Sequence, residues 1–309
     1  MAEPLRVGYV PEHFSTPLHF AKEHFAAPFE LQAFPSGTGA MVSALQSHSI
    51  DVAVGLTEGW IAGLARAAAS NEPPPYALVG TYVESPLRWT VSTGADRRDI
   101  AQEQDPGEWL KGLIGKRMGV SRVGSGSYVM GFVMADKLGQ LAPERKEPFE
   151  IVVLVNFEKL RQGVNSGEAD FFMWEHFTSK KYLESGELRE IGEILTPWPS
   201  WHIVAASNIV EDERLESLLT VVDKGIAHFG ANPEEAVEYI SKNLDYSKED
   251  AEEWMKTVQF ASTAKGVKPS VVDQTLTVLK KAGVVGEAVT KDGMIKFEEK
   301  EGLLSALTG

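Results

Sequence analysis

The side chains best suited to chemistry in this 309-residue sequence lie in three short polar loops and three tryptophan-bearing segments. Pro11-Glu12-His13-Phe14-Ser15 sets a carboxylate beside an imidazole. Ser36-Gly37-Thr38-Gly39 and Gly124-Ser125-Gly126-Ser127-Tyr128 each place hydroxyls and glycines just ahead of a helical pattern. Backbone N–H groups at a helix start, with hydroxyls beside them, can cradle a carboxylate, phosphate or sulfonate, although a well-capped turn has the same composition. Val42 and Val129 occupy the last position of what would be G-x-G-x-x-G, and neither loop is G-x-x-x-x-G-K-[ST], so dinucleotide and P-loop readings fail.

Arg88-Trp89, Trp174-Glu175-His176, and the pair Trp198 and Trp201 bring four of the seven tryptophans to expected lobe junctions. Aromatic walls with one charged group suit a planar ligand, and hinge packing by Trp198 and Trp201 is the alternative. Glu-His recurs at Glu12-His13, Glu23-His24 and Glu175-His176, but HExxH is absent and no i, i+4 histidine pair has a third ligand in view. No metal site is therefore expected, and His24 and His228 read as ordinary helix-surface residues. Without cysteine there is no thiol nucleophile, Cys-ligated zinc or iron–sulfur cluster. Without G-x-S-x-G a serine hydrolase has no anchor. No catalytic residue and no cofactor is assigned.

Charge narrows the partners. Lys+Arg number 30 against 44 Asp+Glu, a net charge of −14, where a nucleic-acid binder needs a basic patch. No apolar run approaches the roughly 18 residues of a membrane span. Met1-Ala2-Glu3-Pro4 carries neither a basic nor an apolar leader region, which makes the cytosol the expected compartment. The expected partner is a small molecule, with no nucleic acid.

Positioning these groups needs alternating strands and helices. Strands are predicted at 5–10, 29–34, 51–56 and 76–82, with helices near 18–25, 39–46 and 58–69. A second series has strands at 117–121, 150–155, 169–174 and 190–195. The rigid segment Thr196-Pro197-Trp198-Pro199-Ser200-Trp201 and a strand at 202–206 follow. This βαβα order implies a mainly parallel sheet, with ligands beyond the strand C-termini. From Asp212 onward the pattern is helical, with starts at Asn232-Pro233, at Ser247 with Asp250, and at Ser270 with Asp273. No internal repeat is evident.

The pattern resembles the type II periplasmic-binding-protein fold, in the branch that binds sulfonates, taurine, nitrate and thiamine pyrimidine precursors. The carrying stretches are Leu5-Arg-Val-Gly-Tyr-Val-Pro11, Ser36-Gly-Thr-Gly39 with Ala44-Leu45, and Ser49-Ile-Asp-Val-Ala-Val-Gly-Leu-Thr-Glu58. To these add Gly115-Lys-Arg-Met-Gly-Val120, Gly124-Ser-Gly-Ser127, Val164-Asn-Ser-Gly-Glu-Ala-Asp170 and Trp174-Glu175. The resemblance implies an α/β protein of two lobes, residues 1–92 with 200–309 and residues 93–199, closing on a ligand in a cleft. Binding positions carried over by motif are Glu12 and His13, Ser36, Gly37 and Thr38, Thr57 and Glu58, Ser125, Gly126 and Ser127, and Trp174 and Glu175, with Arg88 at the junction.

A pyrimidine-synthesising enzyme branch of this family uses a lysine, a histidine and a cysteine-rich iron motif. Here Gly55-Leu56-Thr57-Glu58-Gly59 contains neither Lys nor His, and the chain has no Cys. The resemblance thus implies a non-catalytic binding protein. The alternatives are a cytosolic enzyme of thiamine or pyrimidine metabolism using Glu58, Glu175 and His13, or a sulfonate-type transporter component. Trp174 and Glu175 are expected to form the ligand-reading wall, and a carboxylate there points to a nitrogen heterocycle such as an aminopyrimidine.

Overall fold

The computed structural model describes residues 3–27, 29–100, 111–137, 139, 141 and 147–300. Its elements are β1 (Leu5–Tyr9), α1 (Thr16–His24), β2 (Phe29–Ala33), α2 (Thr38–Gln46), β3 (Val52–Leu56), α3 (Thr57–Ala69), β4 (Tyr76–Val83) and β5 (Arg88–Gly94). There follow β6 (Arg117–Val120), α4 (Gly126–Lys137), β7 (Glu150–Val153), α5 (Phe157–Ser166), β8 (Phe171–Glu175), α6 (His176–Glu184) and β9 (Leu188–Leu195). The chain continues through β10 (Trp201–Ala206), α7 (Glu213–Ala231), α8 (Pro233–Asn243), α9 (Lys248–Met255) and α10 (Pro269–Lys281). Among the described residues no helix is long and apolar enough to cross a membrane.

The chain divides into two compact units, Met1–Ser85 with Trp198–Leu276 and Ala288–Gly309, and Pro86–Pro197 with Thr277–Glu287. The first division falls at Ser85/Pro86 and not near residue 92, because β5 pairs along its length with β9 and over Trp89–Ser92 with β8. Sequence reading misses β5. Its Thr90, Ser92 and Thr93 resemble loop composition, yet all three are buried, and the Thr93 hydroxyl is spent on the Asp170 carbonyl at 2.7 Å.

Each unit holds a five-stranded sheet, ordered β2-β1-β3-β10-β4 in the first and β7-β6-β8-β5-β9 in the second. Both are mainly parallel, as expected, with four of the five strands in each running the same way. β10 runs antiparallel to both its neighbours, and so does β5. The C-terminal segments cover the outer side of β4, where Leu78 N–H donates to the Met294 carbonyl at 2.8 Å and Thr81 N–H to that of Gly266 at 2.9 Å. A bare strand edge is thereby avoided.

The units also share a construction that no sequence repeat announced. In each, the first of the three parallel strands carries Arg-x-Gly at or near its start, Arg6-Val7-Gly8 in β1 and Arg117-Met118-Gly119 in β6. Asp51 accepts from Arg6 N, Nε and Nη2 at 2.8, 2.9 and 2.8 Å, and Asp170 accepts from Arg117 N, Nε and Nη2 at 2.8, 3.1 and 2.9 Å. Each clasp ties the first parallel strand to the entry of the third. The strand glycine leaves room for a helix-side residue. A Cβ on Gly8 would sit 2.7 Å from Ile50 Cδ1, and one on Gly119 3.1 Å from Leu154 and Leu160. Few identities survive outside the clasp, so the repeat is one of geometry.

Candidate functional site

In the first unit β1, β2 and β3 run parallel, so the loops that follow them emerge at one sheet edge. Thr38, first residue of α2, turns its hydroxyl to the Leu56 N–H at 3.0 Å, joining the loop after β2 to the end of β3. It fits because two neighbours are glycine: a Cβ on Gly55 or on Gly59 would come within 2.8 Å of the Thr38 side chain. Ser36 is exposed, and Gly37 at φ +76° supplies the left-handed turn that admits α2, whose start has no side-chain cap. Uncapped first-turn N–H groups are what a ligand oxygen can use.

Thr57 and Glu58 open α3 directly from β3. The Thr57 hydroxyl lies 2.8 Å from His202 Nδ1, and Thr57 N–H donates to the Ser200 carbonyl at 3.1 Å. Burial lowers the His202 imidazole to about 3, so it is neutral and shares hydrogen bonds with Thr57 and, at 3.4 Å, Thr81. Glu58 is fully buried. Its Oε2 accepts from Trp198 Nε1 at 3.1 Å, while Oε1 has no hydrogen-bond partner among the described residues. Burial pushes its carboxyl up to about 7, outweighing its own backbone N–H and the indole, which favour the anion. A carboxyl poised near neutrality beside an unused oxygen is the chemically distinctive feature of this edge.

His13 belongs elsewhere. Expected in the ligand-reading loop, it is fully buried, stacked on Tyr246 at 4.4 Å and 22° and lying 4.2 Å from Trp254. Burial holds it well below its ordinary value, so it is a neutral aromatic core residue. The motif gave no hint, because the rings that enclose it come from the C-terminal helical region. Glu12, half-buried, precedes the single turn His13–Ser15, and its carbonyl accepts from Ser15 N–H at 2.8 Å.

In the second unit the ends of β6 and β8 and the start of β5 share an edge, since β6 and β8 are parallel and β5 antiparallel to β8. Ser125 and Ser127 are buried with their hydroxyls 3.0 Å apart, and Ser125 Oγ accepts from Tyr128 N–H at 3.3 Å, so this loop caps α4, with Gly126 as its first residue. Glu175 is the cap of α6: Oε2 accepts from Thr178 N and Oγ1 at 2.7 and 2.9 Å. Burial raises its carboxyl to about 7 against these bonds. Trp174, half-buried, stacks on Phe157 at 5.0 Å and 20° and packs on the core around Leu160 and Phe172. Both members of the expected wall thus have structural work. Arg88 is ion-paired with Glu193.

Of the carried-over positions, Thr38 thus lies beside the end of β3 and the start of α3, where Thr57 and Glu58 stand. His202 and the Trp198–Glu58 bond were not among the expected positions. Their one signal in the sequence was that residues 198–202 return beside the end of β3.

A family model described as the Ca3427-like PBP matches residues 89–194, nearly all of the second unit's main segment. Among solved structures, the product of the conserved Candida albicans CA3427 gene is 38% identical, with 98% of this chain and 100% of that chain covered and a TM-score of 0.84. That protein defines a family exhibiting the generic periplasmic binding protein fold. This chain belongs to that family. The CA3427-like fold extends to the Escherichia coli periplasmic aliphatic sulphonate binding protein SsuA, at 16% identity, 98% and 96% coverage and a TM-score of 0.71. It extends likewise to the periplasmic nitrate-binding protein NrtA from Synechocystis PCC 6803, at 15% identity, 93% and 83% coverage and a TM-score of 0.69. Comparison with curated proteins gives no match. The type II periplasmic-binding-protein fold is thus shown for this chain, and the sulphonate- and nitrate-binding proteins share it as architecture.

Proposed function

We propose that this CA3427-like protein binds a small nitrogen-containing heterocycle, with Glu58 as the group that reads it. The carrying observation is the buried Glu58 carboxyl, raised to about 7, with Oε1 lacking a partner where the parallel strands end. A carboxyl that keeps one proton offers a donor and an acceptor side by side. An aminopyrimidine presents the complement, a ring nitrogen that accepts and an exocyclic amine that donates. Glu58 takes this role over Glu175, whose Oε2 is committed to Thr178.

A second reading, a sulfonate- or nitrate-like anion, is favoured by the uncapped start of α2 with Ser36 and Gly37. It is also the ligand class of the sulphonate and nitrate proteins that share the fold. Native mass spectrometry for a co-purified molecule, then calorimetry with 4-aminopyrimidines, alkanesulfonates and nitrate, separates the two. The heterocycle reading expects aminopyrimidine binding that Glu58→Ala weakens by about tenfold or more, because the ligand's ring nitrogen and amine then lose their partner. Binding of anions alone, or aminopyrimidine binding indifferent to Glu58, overturns it.

A further inference from the structure

Three helices of the first unit bring His24, His228 and Glu235 together at a place that takes no part in the site above. His24 ends α1, His228 lies in the last turn of α7, and Glu235 in the first turn of α8. Sequence separation concealed the group: the two histidines, expected as ordinary helix-surface residues, share Glu235. His24 Nε2 lies 2.9 Å from Glu235 Oε1, and His228 Nε2 lies 2.8 Å from Oε2. The two imidazoles stack at 4.1 Å and 26°. Phe20 and Phe25 each set a ring edge-on against both.

The backbone holds this arrangement. Asn232 was expected to cap α8. Its backbone N and side-chain Nδ2 instead both donate to the His228 carbonyl, at 3.0 and 2.8 Å, fixing the turn between His228 and Glu235. α1 and α7 pack so closely that a Cβ on Gly225 would sit 2.2 Å from the Pro17 carbonyl oxygen.

We propose that His24, His228 and Glu235 form a zinc-type metal site with one open coordination position. Two imidazole nitrogens and a carboxylate oxygen are a donor set that zinc takes when three protein ligands leave a fourth place to water. Calcium and magnesium prefer all-oxygen cages, which the imidazoles disfavour. The three donor atoms lie within 4.8 Å of one another. A tetrahedral ion with bonds of about 2.0–2.2 Å needs donors roughly 3.3 Å apart. Entry of the ion therefore asks donors already turned to one point to shift by no more than about 1.5 Å relative to one another. Each imidazole then carries its proton on Nδ1 and gives the Nε2 lone pair to the metal. Bound there, the ion fastens the end of α1 to the α7–α8 turn.

The test uses the purified full chain stripped of metal, titrated with zinc chloride by calorimetry and in thermal unfolding, and with cobalt(II) by visible absorption. One ion per chain is expected, with intense tetrahedral cobalt bands and a melting temperature that climbs with zinc concentration. Glu235→Gln and His228→Ala should each weaken binding by at least about 100-fold, beyond the 10–100-fold typical of outer-sphere partners. His48→Asn should leave it unchanged. Metal-free unfolding curves identify any variant that misfolds, and His24→Gln, near the surface, then supplies the measurement. No stoichiometric zinc binding, or binding that survives loss of all three side chains, overturns the proposal.

Discussion

Replacing Glu58 by Gln measures how strongly the fold resists ionising this carboxyl. The acid titrates near 7 in the folded chain against an ordinary 4.5. Between those values the folded state keeps a proton that the unfolded chain has released, so stability falls as pH rises through this window and levels off above it. At about 1.36 kcal/mol per pH unit, the penalty above pH 7 is about 3 kcal/mol. Glu175 contributes a slope of the same sign over the same range, so the difference between variant and wild type is the quantity to read. Relative to wild type, Glu58→Gln should gain about 3 kcal/mol on passing from pH 4.5 to pH 8. Urea titrations at several pH values, with hydrogen exchange of the α3 amides reporting the first unit alone, give the number even if the two units unfold separately. A difference that stays level within about 1 kcal/mol across that range would refute the argument, because Glu58 would then ionise like an exposed acid.

Trp198→Phe removes the indole donor to Glu58 Oε2, and denaturation should show a loss of about 1.5–3 kcal/mol at pH 8 but less at pH 5, where the carboxyl is neutral. Asp170 sits near 2 although burial alone would raise it, because its bonds to Arg117 and Arg97 outweigh desolvation. Allowing for solvent screening, Asp170→Asn should cost about 1–2 kcal/mol at pH 7, and the difference from wild type should fade as pH drops from 4 to 2. Gly225→Ala drives a methyl against the Pro17 carbonyl and should destabilise by about 3 kcal/mol, read as a lowered urea midpoint with unchanged slope.

How much of this was legible in the sequence depends on the range over which each signal acts. The first βαβαβ run was readable because strands such as Val52–Leu56 are continuous apolar stretches bounded by turns, a local pattern. The positions of Thr57 and Glu58 were readable for the same reason, since they follow such a strand directly, whereas four residues separate Thr38 from β2. β5 was not, because Thr90 and Thr93 hide their hydroxyls on partners far along the chain, His176 and the Asp170 carbonyl. His13 and the His24–His228–Glu235 group failed likewise. Their surroundings are built by helices more than two hundred residues later, and no spacing rule reaches that far.

Glu58 and Glu175 show why the perturbed carboxyl alone does not mark the site. Both are buried, both follow a third parallel strand at the start of a helix, and both sit near 7. A reading based on position or on acidity cannot separate them. The hydrogen bonds can. Glu175 Oε2 holds the first turn of α6 through Thr178, so losing that carboxylate removes a helix cap, an effect of about 1 kcal/mol on stability. Glu58 carries no cap, gives one oxygen to Trp198 and leaves the other unused. A buried polar atom without a partner costs roughly 1–3 kcal/mol, and folding stability alone gives no reason to keep it. A ligand that supplies the missing hydrogen bond does, and that is why the functional reading rests on Glu58 and leaves Glu175 to the architecture.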